Sequence, residues 1–155
     1  MKSSEAPVSK VLFDTQVYIA YRSLIQQRDL EPGWHSVVVW QERMVGASGS
    51  NELRSMESEC SGQEKAGRLL IPDREAWLMA GRILQRYLSE LRQQSPTRAR
   101  PALSHPEKQN LIRDVLIAVS VKQAGVTVVS DNKDFPTIQR YYDFKWISGQ
   151  AYFAA

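Results

Sequence analysis

The chain has 155 residues, 43% hydrophobic and 24% charged, with 20 Lys and Arg against 17 Asp and Glu for a net charge of +3. This is the composition of an ordinary globular protein with enough apolar material for a core, which excludes wholesale disorder and collagen-like repeats. The single cysteine, Cys60, excludes an intrachain disulfide and a cysteine-based zinc site.

Val11-Leu12-Phe13 is a short apolar run ending at Asp14 and reads as a buried strand. Val17, Ala20, Tyr21, Leu24 and Ile25 recur at three- and four-residue steps, which predicts a helix broken by Glu31-Pro32-Gly33. The β-branched run Ser36-Val37-Val38-Val39-Trp40 predicts a second buried strand, ending at Gln41-Glu42. From Ala47 to Arg68, serines and glycines mix with Leu53, Met56 and several glutamates, which reads as a short helix and a loop.

Leu69-Leu70-Ile71 before Pro72 reads as a short strand, and Asp73 as the N-cap of a long helix. Trp77, Ala80, Leu84, Tyr87, Leu88 and Leu91 would form the apolar stripe of that helix. Ser95 to Pro106 holds three prolines, Arg98 and Arg100, and reads as a basic loop. A helix is expected from about Glu107 to Ala124, capped by Gly125. Val126-Thr127-Val128-Val129 is a third buried strand, and a short helix and a last strand at Phe144–Ile147 close the chain. Strands alternating with helices imply an α/β class with a mostly parallel sheet. Residues 1–9 read as a flexible tail and 10–155 as a single domain. No run approaches the ~18 apolar residues of a spanning helix, and the polar start lacks a signal-peptide core. A cytoplasmic setting is expected.

The acids carry the functional signal. Asp14 follows the first strand, Glu42 the second, and Asp131 and Asp134 the third. Ligands in open α/β sheets bind outside the carboxyl ends of the strands. Each acid alone has an ordinary reading as a helix cap or turn residue. Asp114 is different: it lies on the same side of its helix as Leu111, Val115, Ala118 and Val121. A lone carboxylate facing a core is costly unless paired, so a salt bridge to another Arg or Lys is the structural alternative. Arg113, its neighbour, is expected on another side of the helix. Carboxylates converging on one edge call for a hard divalent cation, Mg²⁺ or Mn²⁺, and such a site supports phosphodiester hydrolysis. His35 and His105 lack ligand spacing and read as loop histidines.

Four stretches resemble the motifs of PIN-domain ribonucleases: Val11 to Ile19, Ser36 to Glu42 with Gly46-Ala47, Asp114 to Ala118, and Gly125 to Phe135. Their order and spacing are similar to those of the VapC-type toxins of bacterial type II toxin–antitoxin systems, over roughly residues 10–148. The resemblance implies a PIN-like three-layer α/β/α fold and a Mg²⁺- or Mn²⁺-dependent endoribonuclease. Its catalytic, metal-holding quartet would be Asp14, Glu42, Asp114 and Asp134. Thr15, Ser130, Asp131 and Asn132 would support that quartet, with Asp131 and Asn132 able to exchange roles because the fourth motif is one residue short. Gln16 stands where Asn or Ser is common, and Arg43 replaces the usual Leu. The implied partners are an RNA substrate, with tRNA and rRNA as the classes to test, a cognate antitoxin and a second copy in a homodimer.

Arg98, Arg100, Arg113 and Lys133 are the candidate RNA contacts. Two rival readings are an RNA-processing PIN nuclease outside any toxin system and a non-catalytic PIN-like interaction module. A phosphate-accepting regulatory domain would need a paired acidic doublet after the first strand, which Phe13-Asp14 lacks.

Overall fold

The computed structural model describes residues 10–94 and 103–154. Strand β1 (Val11–Phe13) leads into helices α1 (Thr15–Ala20) and α2 (Arg22–Gln27). Strand β2 (His35–Ser36), helices α3 (Val37–Val45) and α4 (Ser50–Lys65), and strand β3 (Leu69–Leu70) follow. Helices α5 (Arg74–Gln94) and α6 (His105–Ala124), strand β4 (Thr127–Val129), helix α7 (Asp134–Gln139), strand β5 (Trp146–Ile147) and helix α8 (Gly149–Phe153) complete the chain.

All strand pairing among the described residues is parallel. β4 lies between β1 and β5, with Leu12 opposite Val128 and Val129 opposite Ile147. β2 pairs with β3, and a parallel bridge between Leu12 and Trp34 ties that pair to β1. The strands therefore run in the order β3-β2-β1-β4-β5. Alternation along the short strands divides the core. Leu12 and Val128 join a cluster with Val38, Ala80, Ile83, Val115 and Phe135. Val11, Phe13 and Val129 turn the other way, onto Val17 and Phe153. Helices cover both faces, which gives the α/β/α layering expected and explains why each strand is apolar throughout.

Helix α6 is the central element. Ser104 and Glu107 form a capping box at its start, and Gly125, at φ 67°, ends it in the left-handed conformation. It begins two residues earlier than expected because Ser104 caps it and His105-Pro106 fill its first turn. Every residue from Asp114 to Val121 is buried, because α5 packs on one side and the sheet on the other. Removing one such side chain, as in Ile117→Ala, would cost about 2–5 kcal/mol.

Several expectations are corrected. Ser36–Trp40 is not a strand. Only His35–Ser36 pairs, and the Ser36 hydroxyl accepts from Val38 N at 3.1 Å to start α3. Burial of Val38, Val39 and Trp40 in a helical arrangement overrides their β preference. The serine-rich stretch from Ala47 forms a 16-residue helix with Leu53, Met56, Cys60 and Gln63 half-buried along one side. Its start is held by Glu52, which accepts from Ser48 N at 2.7 Å. The first helix is two, broken at Tyr21. Asp73 caps α5, accepting from Ala76 N at 2.8 Å. The inner face of that helix is Ala76, Ala80 and Ile83, while Trp77 is 56% exposed, one position out of phase with the core. Ile71, also 56% exposed, and Phe144 lie outside the strands expected to hold them. His35 stands in β2 and His105 in α6, not in loops. Residues 1–9 and 95–102 lie outside the described residues.

Candidate metal-dependent nuclease site

One strand end and three helices bring carboxylates to one cleft of about 580 Å³. Asp14 ends β1 and caps α1. Its Oδ1 accepts from Thr15 N at 2.8 Å and its Oδ2 from the Ser130 hydroxyl at 2.9 Å. Asp114 enters from α6, Glu42 from α3, and Asp134 from the first turn of α7 just after β4. The mistaken strand at Ser36–Trp40 did not displace Glu42 from this edge. On a helix Glu42 falls three and four residues after Val39 and Val38, so it stands above the face that anchors α3.

Ser130 and Asn132 connect three of the acids. Ser130 gives its hydroxyl proton to Asp14 while its oxygen accepts from Asn132 N at 3.0 Å. Asn132 donates from Nδ2 to Asp114 Oδ2 and accepts at Oδ1 from Asp134 N, both at 3.0 Å. Thr15 Oγ1 donates to Glu42 Oε2 at 2.7 Å. Among the described residues Asp114 has no cationic partner, so the salt-bridge alternative does not hold for it.

The adjacent Asp131 and Asn132 both line the cleft but take different partners. Asn132 faces the acids. Asp131 is exposed, takes the Tyr21 hydroxyl hydrogen bond, and accepts from Gln150 N at 3.3 Å. It thereby ties the loop after β4 to α8. Gly149 fits there because a Cβ would lie 2.6 Å from the Tyr21 ring and 2.8 Å from Asp131. Neither Tyr21 nor Gly149 was legible as part of the site's frame, since neither has a chemical signature of its own.

Arg113 lines the same cleft, contrary to its expected direction. Its guanidinium lies 3.7 Å from Glu42 Oε1 and donates to Asn110 Oδ1 at 3.4 Å. A long side chain overrides the direction set by its Cα. Lys133 is exposed and stands outside the cleft lining. Arg98 and Arg100 lie outside the described residues.

The electrostatics follow from burial. Asp114 is 4% exposed, and desolvation, the charge of Asp14, a hydrogen bond shared with Asp134, and the charges of Asp134 and Glu42 push its carboxyl up to about 9. Burial also raises Asp14, against the opposing hydrogen bonds from Ser130 and Thr15 N. Among the described residues no three His, Cys, Asp or Glu side chains stand ready as ligands of one ion. The donor set itself is wholly carboxylate oxygen, which suits Mg²⁺ or Mn²⁺ and not a soft metal.

The architecture matches solved structures over nearly its full length. A chain of FitAB, solved bound to an IR36 DNA fragment, aligns with a TM-score of 0.54 at 19% identity, covering 90% of this chain and 94% of that one. A chain of VapBC-1 from nontypeable Haemophilus influenzae aligns with a TM-score of 0.52 at 21% identity, covering 90% and 98%. The fold is the PIN fold. No protein-family model matches the sequence, and no curated protein does. In PIN terms, the cleft lies where β1 and β4 end. No described helix is long and apolar enough to cross a membrane.

Proposed function

We propose that this PIN-fold chain is a divalent-metal-dependent endoribonuclease that hydrolyses phosphodiester bonds in RNA. We further propose that it is the toxin of a toxin–antitoxin pair and inhibits translation. The observation that carries the reading is the meeting of Asp14, Glu42, Asp114 and Asp134, from four separate stretches of chain, in one cleft. Support for the toxin comes from the likeness to the FitAB and VapBC-1 chains.

In this reading the four carboxylates hold Mg²⁺ or Mn²⁺. When bound, the cation lowers the pKa of a water and offsets charge developing on the phosphate. The protein's own work is positional. Ser130 and Asn132 fix Asp14 and Asp114, Thr15 aims Glu42, and Asp131 secures the loop through Tyr21 and Gln150. Arg113 inside the cleft and Lys133 outside its lining supply positive charge to the RNA backbone, as do Arg98 and Arg100 of the basic segment read from the sequence. The partners are the RNA, a cognate antitoxin and a second copy of the chain, in the cytoplasm.

The test is cleavage mapping of tRNA and rRNA by the purified chain in Mg²⁺, in Mn²⁺ and in EDTA. Discrete cuts that EDTA abolishes are expected. Cuts that persist in EDTA, or no cuts with any RNA in either metal, refute the reading.

A further inference from the structure

Among the described residues, Arg113 is the one basic side chain lining the acidic cleft. It has two neighbours there, Glu42 at 3.7 Å and Asn110 at 3.4 Å. The side chains of the ion pair are 35% and 24% exposed. A pair so open to water is loosely held and readily exchanged. Thr15 meanwhile secures the other Glu42 oxygen, so this carboxylate stays in place when the guanidinium leaves.

We propose that Arg113 is a place-holding cation. In the free protein it neutralises Glu42; when Glu42 takes another partner, Arg113 is released to grip a phosphate of a single-stranded polynucleotide. This rests on the nuclease reading above. The chemistry favours the exchange. Glu42 cannot serve a guanidinium and a divalent cation at full strength, whereas a guanidinium fork matches two phosphate oxygens. Arg113 is anchored on α6 next to Asp114, so the released group remains on the cleft wall, with Asn110 one turn away to steer it. Occupation of Glu42 and binding of polyanion then strengthen each other reciprocally.

The prediction can be read without any metal. Binding of a short fluorescein-labelled single-stranded RNA is measured by anisotropy in EDTA, for the parent, Glu42→Gln, Arg113→Gln and the double variant. Glu42→Gln frees Arg113 and should tighten binding by about tenfold in the parental background. In the Arg113→Gln background the same change should give no more than about twofold, the effect of losing one negative charge. Should Arg113→Gln fail to fold, Arg113→Lys serves in its place, with an expected gain of about threefold because the fork is lost. Equal gains in all backgrounds overturn the inference and leave the nuclease reading standing. No RNA binding by any of the proteins also overturns the inference, and the nuclease reading is then decided by the cleavage test in Mg²⁺ and Mn²⁺.

Discussion

The cleft has a dry side and a wet side. Asp14 and Asp114 are 3% and 4% exposed, fixed by Ser130 and Asn132 and raised in pKa by burial. Glu42 and Asp134 stand at the rim, partly open to solvent, and Glu42 is shared between Thr15 and Arg113. The dry pair sits on rigid elements, a strand end and a buried helix. The rim pair sits on shorter helices whose side chains have alternatives. Charge stored in the dry pair is costly and holds only while its hydrogen bonds do, whereas the rim pair can exchange partners cheaply.

The largest expected contrast is in cleavage. Asp14→Asn should lower RNA cleavage by about 10³-fold, about 4 kcal/mol of transition-state stabilisation, while Asp134→Asn loses about tenfold. Equal losses would erase the distinction between the two sides. Ser130→Ala breaks the link from Asp14 to Asn132 and should weaken Mn²⁺ binding by about 10–100-fold, read by titration calorimetry. An unchanged affinity would show that Asp14 holds its position without that hydroxyl.

A subtler sign of the dry side lies in pH. The Asp114 carboxyl is raised from 3.8 to about 9, so between those values the folded chain binds more protons than the unfolded one. Stability without metal must therefore fall as pH rises through that window. His35, lowered from 6.5 to about 4 by burial and then by the charge of Arg43, acts in the opposite sense below 6.5. Melting curves in EDTA between pH 7 and 9 exclude His35, and the Cys60 thiol, raised from 9.0 by burial, enters only at the upper end. Asp114→Asn should flatten that slope and raise Tm at pH 9 by about 5 °C, about 2 kcal/mol at this length. A parental slope in the variant would place the proton elsewhere. The smallest effect is expected from Gly149→Ala, which crowds Tyr21 and Asp131 and should cost about 1–2 kcal/mol in denaturant unfolding. A loss confined to stability, with Mn²⁺ affinity unchanged, would show that the α8 tie does not reach the acids.

The dry side was the more legible in sequence. β1, β4 and α6 are nearly continuous apolar runs, and an acid at the end or on the buried stripe of such a run is conspicuous. The rim was read less well. Val37 to Trp40 look like a strand, and only the cap at Ser36 hints at a helix. Loops have no periodicity, so nothing in the sequence could say that Asp131 pairs with Tyr21 and Gln150 while Asn132 pairs with the acids. The reach of Arg113 to Glu42 depends on the spacing of α3 and α6, which is a tertiary quantity. The helix at Ser50–Lys65 was hidden by its serines, which lie largely on its exposed face.

The register of β1 against β4 has a temporal side. Val11 pairs with Thr127, and the Ser130 hydroxyl reaches Asp14 across 116 positions of sequence. A growing chain that has left the ribosome only as far as α6 already carries Asp14, Glu42 and Asp114, but has neither the strand that seats the first nor the amide that orients the third. Contacts so distant in sequence are slow to form, because the intervening loop must close before they contribute. The cleft therefore matures at the end of synthesis, and a chain interrupted before residue 127 would carry most of the acids without assembling the site.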